Sequence, residues 1–116
     1  MTAGDDRPAH RQFLDVATVD TWSELQLAMA DLGPAAPYWR VQDIEGTLAP
    51  SSGWERDWRH RFRLIQYKYI HWCELRPREA ANGLTLADVV ELCDELGFEV
   101  EELADRARVL GYRLLR

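Results

Sequence analysis

A chain of 116 residues that is 47% hydrophobic and 29% charged has enough apolar side chains for one core and reads as one domain. Its net charge of −6 argues against general nucleic-acid binding, where phosphate contacts dominate affinity, and suits a protein that meets a basic partner. Cys73 and Cys93 are too few for a disulfide framework, and no apolar run approaches the roughly 20 residues that span a bilayer. The polar start MTAGDDRPAH is unlike a signal peptide, so a cytoplasmic location is expected.

Residues 1–12 are polar and aperiodic and read as a flexible tail, leaving 13–116 as the domain. Thr21, with Glu24 three residues on, has the form of a capping box. Trp22, Leu25, Met29 and Leu32 then share a helical face, and Gly33-Pro34 stops the helix. A helix this short is marginal alone and must dock on an apolar surface. Tyr38–Glu45 mixes aromatic and β-branched residues without helical spacing, which predicts a strand, and Gly46–Gly53 is turn-rich.

Alternation from Ile65 to Leu75 predicts a long strand. One face, Ile65, Tyr67, Tyr69, His71, Cys73 and Leu75, should turn toward the helices. The other, Gln66, Lys68, Ile70, Trp72 and Glu74, should stay half-wet, and Pro77 ends the strand. A second helix starts at the cap Thr85, with Asp88 at its third helical position and Leu84 and Val89 placed for a hydrophobic staple. It should bury Val89, Cys93 and Leu96, joined by Leu92, and end at Gly97-Phe98 in a Schellman motif.

The last residues admit two readings. Val100, Leu103, Ala104, Ala107 and Leu110 have helical spacing, and Glu102 with Arg106 makes a favourable i,i+4 pair. Phe98–Leu103 and Arg106–Leu114 could instead form a hairpin turning at Ala104-Asp105. Local propensity leans toward helix.

The stretch YKYIHWCELRPR and the closing VLGYR resemble a small bacterial family of unknown function. The matching residues are Ile70, Trp72, Arg76, Pro77, Arg78, Gly111, Tyr112 and Arg113. The resemblance covers about Trp22 to Arg113 and implies a terminal hairpin, against the local helix signal. It brings no catalytic motif, and an immunity-protein-like role is the accompanying guess. The expected fold is α+β: an N-terminal helix, a short antiparallel sheet, a second helix packed on one sheet face, and a C-terminal β-hairpin.

Charge is segregated along the chain. Trp54 to Arg78 holds three of five tryptophans and seven of fourteen basic residues, whereas Glu79 to Asp105 has nine acidic residues and no basic one. Candidate partner-binding residues are therefore Trp54, Trp58, Arg59 and Arg61 in the first block, and Asp88, Glu91, Glu95, Glu101 and Glu102 in the second. Tryptophan and arginine dominate interface hot spots, and a run of carboxylates complements a basic cleft. The leading expectation is a non-enzymatic inhibitor of a protein partner, of immunity or antitoxin type. The bland alternative has the tryptophans capping the sheet and the charges solvated or paired.

Two rival classes are weighed. Trp54–Arg63 interleaves aromatics with cations as single-strand binders do, with 85–110 as a possible helix-turn-helix. His71 and Cys73, at i and i+2, could pair a thiol with a base, but a core histidine and buried thiol explain them more simply. Asp43, Glu45, Asp57 and Glu74 could include an acid/base pair but are expected to be solvated or paired with arginine. No ligand set with metal spacing and no phosphate loop is present in the sequence, so neither metal nor cofactor is expected.

Overall fold

The computed structural model describes residues 13–78 and 82–115, so the expected tail at 1–12 lies outside the described residues. The chain is α+β. A short strand β1 (Phe13–Asp15) leads to helix α1 (Val19–Leu32), then to strands β2 (Tyr38–Asp43), β3 (Leu48–Ala49) and β4 (Ile70–Arg76). Helix α2 (Leu86–Glu95) follows, and β5 (Glu99–Glu102), β6 (Ala107–Leu110) and β7 (Tyr112–Leu114) close the chain. The main sheet is antiparallel in the order β3-β2-β4-β6-β5, and β1 pairs with β7 in a separate ribbon.

Both helices supply apolar stripes to one face of this sheet. Trp22, Leu25 and Met29 of α1 and Val89 and Cys93 of α2 are buried with Trp39, Val41, Cys73, Leu75, Ala107 and Val109 from the strands. Each large side chain so buried contributes about 1.5–3 kcal/mol. Helix α2 follows its sequence signals. Thr85 Oγ1 accepts from Asp88 N, the Asp88 carboxylate accepts from Thr85 N, and Gly97 ends the helix at φ 98°. Phe98 N donates to the Cys93 carbonyl, and the ring folds in against Trp22 at 4.7 Å.

Helix α1 begins earlier than Thr21. Its cap is Thr18, whose hydroxyl accepts from Thr21 N, so Thr21 is already inside the first turn and the expected capping box does not form. Gln26 shares the buried stripe and donates to the Trp58 carbonyl at 2.9 Å, while Leu32 is only half-buried.

The predicted strand over 65–75 is shorter at its start. Phe62–Leu64 and Tyr67–Tyr69 form single 3₁₀ turns, because Phe62 is drawn into the core, where it packs on Trp39, Trp58 and Tyr67. Within β4 the expected directions hold at Trp72, Cys73, Glu74 and Leu75 but fail below His71, and Glu74 is buried under arginines rather than half-wet. Gln42 pairs with Trp72 and Asp43 pairs with Ile70, so His71 is an extra residue and the alternation shifts by one. Ile70 therefore turns into the core, fully buried, rather than to the half-wet face.

At the C-terminus the hairpin wins over the helix. β5 and β6 pair around the Leu103–Arg106 turn, and β6 is in register with β4, which rules out a helix-turn-helix over 85–110. The deciding partner is distant in sequence: β4 offers a ladder that buries Ala107 and Val109 together, which no isolated helix could do.

Gly111 joins the two sheets. Its N–H donates to the His71 carbonyl at 2.8 Å and its carbonyl accepts from Val16 N at 2.9 Å. A Cβ there would drive into the Ile70 carbonyl and crowd Trp22. Gly111→Ala is expected to cost about 3 kcal/mol as overpacking against fixed backbone. Gly97→Ala, with positive φ but open space around the position, should cost only about 1 kcal/mol. Urea midpoints compare the two, and equal losses would contradict the steric account.

Candidate recognition surfaces

Residues of β2, β4 and β6 that do not enter the core alternate onto the opposite sheet face, where neither helix packs. Register places Arg40 and Arg108 on either side of Glu74. Glu74 is only 1% exposed. Arg40 Nη2 donates to Oε1 at 2.8 Å, Arg108 donates to Oε2 through Nη2 at 2.7 Å and Nε at 3.1 Å, and Arg106 Nε stands 3.1 Å from Oε1. Burial pushes the Glu74 carboxyl up, but hydrogen bonds from Arg108, Arg40 and Arg106 outweigh it and hold the group below its ordinary range.

Aromatic rings extend this network. A backbone bridge between Trp39 and Glu55 brings the preceding Trp54 onto the open face, where Arg40 lies 4.6 Å and Arg76 5.8 Å from its ring. Arg108 sits 4.8 Å from the Trp72 ring and Arg78 5.2 Å from Tyr38. Guanidinium groups held over ring faces in this way gain about 0.5–1 kcal/mol each at exposed sites. Arg106 also contacts Asp105 at 2.7 Å, and Arg108 approaches Glu101 at 3.8 Å.

A second surface of opposite sign lies at the sheet's edge. β5 is the terminal strand and pairs only with β6 in the sheet. Between it and α2 runs a shallow groove with Ala87, Val90, Phe98 and Val100 in its lining and Glu91, Asp94, Glu99 and Glu102 around them. Helix α2 and β5 are consecutive elements, so Glu91, Asp94 and Glu102 stay together in space, while Glu101 and Asp105 meet arginines of the open face and Glu99 pairs with Arg113 at 3.1 Å.

The expected site residues are thus distributed unevenly. Glu91 and Glu102 meet in the groove, and Glu95 is exposed on the same helix. Asp88 is engaged in capping α2, and Glu101 turns to the open face beside Arg108. The Trp54–Arg63 block is dispersed. Trp54 joins the open face, but Trp58 is only 3% exposed and its indole N–H donates to the Pro37 carbonyl, so it has no surface to offer a partner. Its apolar bulk outcompeted the polarity of its neighbours. Arg59 and Arg61 are exposed, with Arg61 3.3 Å from Glu55. The sequence does not single out Arg40, Arg106 or Arg108; their only signal is strand alternation, which needs the register to become meaningful.

The candidate catalytic side chains lie in separate surroundings. The His71 ring meets Phe13 of β1 edge-on at 5.2 Å, beside the β1–β7 ribbon. Cys73 is fully buried, and desolvation pushes its thiol well above the ordinary value; burial likewise pushes Cys93 up to about 12. Three of the four candidate carboxylates are engaged within the fold. Asp43 accepts from Glu45 N and Thr47 N, Asp57 from His60 N, and Glu74 is held by arginine.

Among the described residues no three His, Cys, Asp or Glu side chains group as metal ligands, and no helix is long and apolar enough to cross a membrane. Comparison with known proteins gives one family match, to the model of a family of unknown function (DUF6678), over residues 6–114. No curated protein and no solved structure matches the chain.

Two measurements follow from the buried groups. Because the folded Glu74 pKa is depressed, its contribution to stability is present above the usual glutamate value near pH 4.3 and is lost as pH falls below it. Glu74→Gln should lower stability at pH 7 by about 2 kcal/mol, because the part-exposed Arg40, Arg106 and Arg108 lose their charged hydrogen-bond partner, and should flatten the acid side of the melting-temperature profile. An unchanged profile would contradict the network. Both thiols should resist a disulfide reagent at pH 8 in the native protein and react on unfolding; native labelling of Cys73 would revive a thiol chemistry.

Proposed function

We propose that this chain, which belongs to a family of unknown function (DUF6678), is a non-enzymatic binding protein that engages a protein partner through its acidic α2–β5 flank, as an immunity or antitoxin-type inhibitor would. The observation that carries this reading is the union of a free strand edge with an acid-rimmed apolar groove. An extended cationic segment could add to β5 by backbone hydrogen bonds. Its basic side chains would meet Glu91, Asp94 and Glu102, and its apolar ones Val90 and Val100, whereas Glu99 is already paired with Arg113 at 3.1 Å. The sequence EVEE along β5 repels a second copy of itself while remaining open to a strand of opposite charge. The net charge of −6 adds long-range attraction for a basic partner.

Two other readings have less support. A nucleic-acid site at Trp54–Arg63 loses Trp58 and Phe62 to the core. An enzyme built on Cys73 needs an accessible thiolate, which complete burial opposes.

The test is affinity capture from the host organism with the tagged chain and with Glu91→Lys/Glu102→Lys. The expected result is one protein that elutes with salt from the parent chain and is captured at least about tenfold less by the charge-reversed one. Equal capture by both, or no protein at any ionic strength, would refute the reading.

A further inference from the structure

The open sheet face is not used by the α2–β5 reading, and its chemistry is opposite. Five arginines, Arg40, Arg76, Arg78, Arg106 and Arg108, share it with three carboxylates, Glu74, Glu101 and Asp105. The surplus is two positive charges, in a chain whose total is −6. Among the described residues neither Arg76 nor Arg78 makes a carboxylate ion pair; each lies over an aromatic ring, and Arg78 Nη2 also donates to the Arg56 carbonyl at 3.1 Å.

The guanidinium groups are held in advance. Glu74 fixes Arg40 and Arg108 from below, and the rings of Trp54 and Trp72 fix them from the side. Pre-organised arginines lose little side-chain entropy on binding, and their planar forks match carboxylates in two-point contact. Arg108 already makes such a contact, presenting two nitrogens to one Glu74 oxygen. The Nε atom of Arg40 is buried and has no hydrogen-bond acceptor among the described residues.

We propose that this open face is a docking platform for an acidic segment of a protein, whose carboxylates pair with Arg76 and the outer edges of Arg40 and Arg108 while its apolar side chains pack against the edges of the half-buried Trp54 and Trp72 rings. Arginine and tryptophan are the side chains that carry most binding energy at protein interfaces. Single-stranded nucleic acid is the disfavoured occupant. Stacked bases need free ring faces, whereas these faces are covered by guanidinium groups, with which carboxylates can pair where they lie.

The platform is tested on the full chain by nitrogen–proton correlation spectra, following the Trp54 and Trp72 indole signals. The probes are a peptide of alternating glutamate and leucine, its lysine–leucine counterpart, and a thymidine oligonucleotide of the same charge as the acidic peptide. The acidic peptide should shift both signals, and the basic one neither. Arg76→Glu, which leaves the Glu74 contacts in place, should weaken the binding about tenfold; Arg78→Glu serves if that variant does not fold. Glu91→Lys should leave this binding intact, which separates it from the flank described above. No shift with the acidic peptide, a shift indifferent to both arginine variants, or tighter binding of the oligonucleotide would overturn the proposal.

Discussion

One carboxylate organises the sheet. Glu74 lies in the central strand with its side chain removed from water, and a buried charge without partners costs several kcal/mol. Its partners come from both neighbouring strands, Arg40 on β2 and Arg108 on β6, so satisfying it requires β2, β4 and β6 to be aligned together. A one-residue slip of β2 would set an apolar side chain against Glu74 and turn Arg40 toward the helices. Such a group adds less to net stability than its short hydrogen bonds suggest. Its larger effect is to make alternative registers costly.

The same constraint explains why the helices share one face. With arginines and their carboxylates committed to one side, only the side bearing Trp39, Val41, Cys73, Leu75, Ala107 and Val109 can accept apolar helix stripes. The extra residue at His71 and the close approach of Gly111 to Ile70 then bend the chain at the sheet's end. That bend lets β7 leave the main sheet and pair with β1, tying the start of the described chain to its end.

Charge segregation survives folding in a different form from the linear one. Part of the acidic block, Glu91, Asp94 and Glu102, stays together because α2 and β5 are adjacent in both sequence and space, while Glu99, Glu101 and Asp105 pair with arginines. The basic block disperses, because Trp58 and Phe62 are pulled inward and carry their segment with them. The cationic surface that results draws Arg76 and Arg78 from one end of that block, Arg40 from upstream, and Arg106 and Arg108 from far downstream. Folding thus leaves two surfaces of opposite sign on one body, with the Cys73 thiol fully buried beneath the helices.

Local chemistry by itself determined α2 with its Thr85–Asp88 box and Gly97 ending, the strand at 38–43, and the inward Cys73 and Leu75 against the outward Trp72 and Glu74. These features depend on neighbours a few residues apart, which periodicity and capping residues record. Tertiary structure alone decided the end of the chain, the phase shift at His71, the inward turn of Trp58 and the gathering of arginines around Glu74. Each of those is settled by a partner 30 or more residues away or by competition for core space, as Arg40, Arg106 and Arg108 converging on one carboxylate demonstrate. Spacing along a chain carries no record of such a meeting until the strands are laid side by side.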